Sequence, residues 1–243
     1  MNFKFKTDFD KQVFITLTGL KFLLFKIHIV MKKMLSALFL VLFLFSISCQ
    51  KEVRVEKSKF KITEGVFFLE GEEFTGIVYE NHPNGEVYRE WTMLNGLEHG
   101  PSAIFFSNGQ VDEKIMWKEG KKDGPYEKFY ENGQPEVISQ FAQDKKDGDF
   151  EVFYNNGTIL RSGSYDNGFL EGSIEDYYEN GQKKSLVTWA DNLKEGPYEE
   201  YYENGQLKII GYFKKDRKDG TFETYSETGE LVESLTFENG RPL

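Results

Sequence analysis

The chain has 243 residues, 39% of them hydrophobic and 16% aromatic, with a formal charge of −10. Its first 49 residues hold seven lysines against Asp8 and Asp10, so residues 50–243 carry 23 basic and 38 acidic side chains, a net of −15. A surface this acidic repels phosphate backbones and anionic headgroups, which argues against nucleic acid as a partner.

In chain order, the first recognisable segment is a targeting signal. Lys32 and Lys33 follow Met31, an apolar run covers 35–45, and Ser46, Ile47 and Ser48 precede Cys49, the only cysteine. This resembles a bacterial lipoprotein signal at 31–48, with Cys49 as the lipidated first residue of the mature chain. An incidental thiol, an ordinary signal cut after Ser48, or an uncleaved anchor remain as alternatives, although the apolar stretch is short for the ~20 residues of a membrane helix. Residues 1–30 are expected to be an extension upstream of a true start at Met31, or else the first half of a two-helix anchor. Residues 49–59 read as a charged, mobile tether with little to bury.

From about residue 60 to 243 the chain repeats every 24 residues, through seven registers without insertion or deletion. Glycines recur at Gly76, Gly100, Gly124, Gly148, Gly172, Gly196 and Gly220. A second glycine column runs from Gly85 to Gly229, and a third column holds Met93, Trp117, Phe141, Tyr165, Trp189, Phe213 and Phe237. Such periodicity predicts a repeat array, which offers a binding surface more readily than a catalytic cavity.

Each unit reads as a β-hairpin. In 124–147 a short aromatic run leads to Asn132-Gly133 and then to a second strand ending at Phe141. Asn-Gly between two such runs predicts a type I′ turn, with positive φ at both residues. The same turn is expected at Asn84-Gly85, Asn108-Gly109, Asn156-Gly157, Asn180-Gly181 and Asn204-Gly205, with Thr228-Gly229 in the last unit. The column at 87 shares parity with the column at 93, so both are expected on one apolar face. Pro135 and Lys183 interrupt the 87 column. The position at 96, 120, 144, 168, 192, 216 and 240 is always Gly, Asp or Asn, types that tolerate left-handed φ.

Paired aromatics end the outgoing strands, as in Phe129-Tyr130, Phe153-Tyr154, Tyr177-Tyr178 and Tyr201-Tyr202. Neighbouring strand residues point to opposite faces, so one aromatic row is expected on each side. Tyr130, Tyr154, Tyr178 and Tyr202 form the candidate binding ladder. The competing reading is structural, with stacked rings stiffening a single-layer sheet.

The motif spanning 124–134 and 196–206, G-x-[YF]-E-x-[YF]-[YF]-E-N-G-Q, resembles the MORN-repeat variant of bacteria, the repeat of YwqK-type antitoxin proteins. The resemblance covers about 60–243. It implies an all-β fold, an elongated single-layer antiparallel sheet of tandem 24-residue hairpins. It also implies scaffolding, membrane attachment, or an antitoxin role in a toxin–antitoxin module.

Catalysis has no support in the sequence. Past the signal only His82 and His99 occur, no cysteine follows Cys49, and the carboxylates recur at turn positions. No catalytic residue, metal or cofactor is expected. The expected function is a non-enzymatic envelope lipoprotein, at the outer membrane or cell surface. It would bind a protein partner or a surface glycan and hold the membrane through its lipid anchor. The alternative is an antitoxin or immunity protein that occludes a cognate toxin.

Overall fold

A computed structural model describes residues 53–243. Cys49, the signal at 31–48, the extension at 1–30 and the start of the expected tether lie outside the described residues. One 18-stranded sheet holds most of the described chain, and a three-stranded sheet is formed by Lys61–Thr63, Val66–Leu69 and Glu72–Glu73. From Gly76–Asn81 to Leu231–Glu238, each main strand pairs antiparallel with the next in sequence, giving an open single-layer meander. Among the described residues the only helical turn is the 3-10 segment Lys57–Lys59.

The tether is shorter than expected. Arg54–Glu56 runs parallel to Gly76–Asn81 and pairs with it, Val55 opposite Val78. A sheet edge presents unpaired main-chain groups, and this strand satisfies them at the start of the array. Behind it, Phe67, Phe74, Val78, Trp91 and Met93 form the buried core, packed by Val55, Phe60 and Leu69. Residues 54–59 are thus part of the first cap and not a mobile spacer.

The repeated glycines and aromatics face one another. Gly76 pairs with Met93, Gly100 with Trp117, Gly124 with Phe141, Gly148 with Tyr165, Gly172 with Trp189, Gly196 with Phe213 and Gly220 with Phe237. A Cβ added at Gly148, Gly172 or Gly220 would meet nothing within 4 Å, so these glycines are required by the backbone and not by the paired side chain. The column supplies the positive φ, 77° to 129° from Gly100 to Gly220, where the next pairing loses register.

The Asn-Gly connections differ from the expectation, whereas the left-handed φ expected at 96, 120, 144, 168, 192, 216 and 240 is present at each. At Asn84-Gly85, Gly85 has φ 91° while Asn84 is not in the left-handed region. The Gly85 N–H donates to the His82 carbonyl, and the His82 N–H donates to the Glu86 carbonyl. This is a five-residue connection whose glycine forms a bulge, not a type I′ turn. The type I′ turns lie at the other end of the strands, where only two residues separate paired positions such as Leu94 and Leu97. There Asn95 and Gly96 have φ 50° and 74°, and even Lys215 and Asp216 adopt 49° and 65°. Bonds between repeats hold that strain: the Asp216 N–H reaches the Lys194 carbonyl at 3.0 Å, and the Lys194 N–H reaches Asp216 Oδ1 at 2.8 Å.

The shared parity of the 87 and 93 columns also fails. Phe153 pairs with Ile159 but Val152 pairs with Arg161, so Leu160 is an extra residue. The same slip recurs in every repeat, as between Asp176 and Tyr177. A one-residue bulge moves all side chains beyond it to the other face. The 87 column therefore faces away from the 93 column, and Lys183 in it bonds Glu175 instead of interrupting an apolar row.

Candidate binding groove

Residues directly opposite in an antiparallel pair share a face, so the register sorts the side chains into two faces. On the aromatic face large residues meet small ones: Tyr126 pairs with Ser139, Phe150 with Gly163 and Tyr198 with Gly211. Phe150, Ile174 and Phe222 are buried there, with no second layer among the described residues. Lysines of the 122 column cover the rings. Lys122 lies 5.2 Å from the Phe141 ring centre, Lys146 lies 5.1 Å from Tyr165, Lys194 lies 5.1 Å from Phe213, and Lys218 lies 4.9 Å from Phe237. A cation over an aromatic face is attracted by the ring quadrupole, and its alkyl stem shields apolar surface.

Between the strands Pro135–Ala142 and Leu193–Tyr201 this face encloses a groove of about 420 Å³. Its floor includes Phe150, Val152, Ile174 and Val187, and Lys146, Arg161, Asp176 and Lys194 border it. Arg161 and Asp176 are engaged with each other through two contacts, at 2.5 and 3.1 Å. Two buried donors beside the groove have no partner among the described residues: the Ser139 hydroxyl and the Trp189 indole N–H. The equivalent Trp117 donates to Ser102 Oγ at 2.8 Å. Three repeats on, Ile174 stands where Ser102 stood, and Trp189 loses that acceptor. A buried donor left unmade costs about 1–3 kcal/mol of desolvation.

The opposite face carries Glu127, Glu151, Glu175, Glu199 and Glu223 at the same register. Tyr201 donates to Glu199 and Tyr225 to Glu223, each at 2.5 Å, and Tyr177 donates likewise to Glu175. Burial would raise the Glu175 carboxyl, but hydrogen bonds from Lys183 and Tyr177 outweigh it and hold the group below its ordinary value. In return burial and the Glu175 carboxylate push the Tyr177 phenol up to about 12.

The candidate ladder lies along the turns, outside the groove. The hydroxyls of Tyr130, Tyr154, Tyr178 and Tyr202 donate to the carbonyls of Phe153, Tyr177, Tyr201 and Tyr225, at 2.6, 2.9, 2.7 and 2.9 Å. His82 takes the same place in the first repeat, with Nε2 2.8 Å from the Phe105 carbonyl. The turn asparagines act beside them. Asn84, Asn108, Asn132, Asn156, Asn180 and Asn204 each accept from the N–H two residues on, and Asn180 Nδ2 reaches the Glu203 carbonyl of the next repeat. These rows clip repeat to repeat. Tyr178→Phe should therefore cost about 0.5–1.5 kcal/mol, the usual net worth of one hydrogen bond. A denaturant titration of the full chain reads this, and an unchanged midpoint would mean that the clip carries no stability.

Sequence reasoning misses the lysine column, although its 24-residue recurrence is readable. It also misses Ser139 and Trp189, because their lack of partners depends on what stands opposite. The MORN repeat variant family matches residues 122–143, 146–167, 170–191, 194–215 and 218–239. No curated protein matches the chain. Each family match opens at the lysine column, runs through the Asn-Gly or Thr-Gly connection and stops beside the type I′ tip. The five matched segments follow one another two residues apart, and the first four of them line the groove.

Proposed function

We propose that the chain is a non-enzymatic binding protein of the cell envelope, holding a protein partner on the aromatic face of its sheet. Repeats of this class serve binding, commonly of proteins or membranes. The observation that carries the reading is the groove itself: an apolar floor bordered by lysines set over rings in an otherwise acidic chain. Attachment through a lipid on Cys49 rests on the signal pattern at 31–48. Cys49→Ala should shift the full chain from the detergent phase to the aqueous fraction or leave it as precursor; unchanged partitioning and migration would remove the lipoprotein reading.

A photoreactive residue placed at Val187, on the groove floor, tests the binding face in cells. A control at Ile210, on the glutamate face and 37% exposed, should give no matching product. A discrete cross-linked protein from Val187 alone is the expected outcome; equal products from both sites, or none from Val187, would defeat the reading. The antitoxin alternative and the glycan partner rest on the resemblance and on the aromatic rows. A toxic protein in the Val187 product would establish the antitoxin alternative.

A further inference from the structure

We infer that the groove takes an extended peptide segment with two acidic side chains about six residues apart and apolar side chains between them. The inference rests on the binding reading above and names the chemistry of the partner. Lys146 and Lys194 occupy the same register two repeats apart, with Leu170 at that register between them. Four strand steps separate them, about 19 Å at ~4.8 Å per step. An extended chain rises ~3.3 Å per residue, so that distance is about six residues. Six is an even number, which places both acids on the same side of the segment.

Charge favours an anion. Among the described residues neither Lys146 nor Lys194 has an ion-pair partner. Their ammonium groups sit over Tyr165 at 5.1 Å and over Trp189 at 5.8 Å. The one acid on the groove border, Asp176, already holds Arg161 and accepts from Ser185 at 3.1 Å. The net charge of the border is therefore positive, within a chain whose residues 50–243 sum to −15. An incoming carboxylate would pair with each ammonium group while the alkyl stem stays on its ring.

The floor favours a peptide over a sugar. Phe150, Ile174 and Val187 offer no partner to hydroxyl groups, and each hydroxyl buried unpaired would be penalised.

The test uses the full chain in mild detergent with fluorescently labelled peptides. The probe is a seven-residue peptide with Glu at positions 1 and 7 and Leu at 3 and 5, all on one side of the extended chain. Counterparts carry Lys at 1 and 7, or Glu at 1 and 3 with Leu at 5 and 7. Anisotropy should show the first peptide binding at least tenfold more tightly than either counterpart. Lys146→Glu with Lys194→Glu should reverse the preference toward the Lys peptide, a gain that also proves the variant folded. Charge-blind binding, no binding of the first peptide, an unreversed preference in the double variant, or tighter binding of a polyuronate would each overturn the proposal. If the peptides fail while Val187 still cross-links one protein, the binding reading stands and the acidic-segment assignment falls. If Val187 captures nothing as well, both fall.

Discussion

Gly211→Ala should destabilise the last repeats by about 1–3 kcal/mol, the range for overfilling a packed site. A Cβ built on Gly211 lies 2.5 Å from Cδ1 and Cε1 of Phe222 and 2.7 Å from its Cγ. That ring cannot retreat easily. Phe213 and Phe237 meet it edge-on at 5.5 Å each, and Lys218 covers it at 4.6 Å. Phe222→Leu alone should also destabilise, because it empties part of a buried site. Combined, the two changes should cost less than their sum, since the smaller side chain makes room for the new methyl. Strict additivity would mean that Gly211 is not there to admit Phe222. In an array each repeat touches only its neighbours, so hydrogen exchange should rise over 207–238 and stay unchanged near the first cap.

Gly181 provides the contrast. Its φ is +84°, and a Cβ added there would meet nothing within 4 Å. Gly181→Ala should cost about 1–2 kcal/mol through left-handed backbone strain alone. No second substitution nearby should rescue it, because no neighbour is displaced.

The difference between these glycines shows what the sequence makes legible. The 24-residue period, the hairpins and the single sheet follow from columns of Gly, Asn-Gly and aromatics, because those residues meet local backbone demands. Gly181 belongs to that class. Gly163 and Gly211 lie off the periodic glycine columns, and their purpose is visible only when Ile174 and Phe150 are seen against the first and Phe222 against the second. The Asn-Gly connections differ from the expectation for a related reason. Asn-Gly suits both a type I′ turn and a five-residue turn with a glycine bulge, and the pairing of Asn81 with Val87 decides between them. Lys215-Asp216 carries no glycine yet forms the type I′ turn, since contacts with Lys194 of the preceding repeat hold it. The bulge at Leu160 and its equivalents leaves no mark in composition, and it reverses the face of every residue on one side of it. The groove is assigned to the aromatic face only after that reversal is known.

The buried phenols should give the protein an alkaline limit that ordinary tyrosines would not. The Glu199 carboxylate bonded to Tyr201, with burial, pushes its phenol up to about 12, as burial and Glu175 do for Tyr177. Burial, with Glu113 in one case and Glu200 in the other, drives Tyr126 and Tyr198 further up. An unfolded chain releases these protons near the ordinary value of about 10. Above that pH the folded state binds more protons than the unfolded one, so stability falls as pH rises toward the folded values. The acid limb has the opposite origin. Hydrogen bonds from Lys183 and Tyr177 to Glu175, and from Lys208 and Tyr198 to Glu200, outweigh burial and hold both carboxyls low. Their contribution is present above the unfolded carboxylate value and is lost as pH falls through the folded one. The melting temperature should therefore be flat near neutrality and drop on both sides. Replacing Tyr126, Tyr177, Tyr198 and Tyr201 together by Phe removes the titrating protons while keeping the rings. The variant should lose the alkaline drop, and its acid limb should begin at a higher pH, because the Glu175 and Glu200 carboxylates each lose a donor. An alkaline limb that survives the four changes would mean that these phenols do not set it.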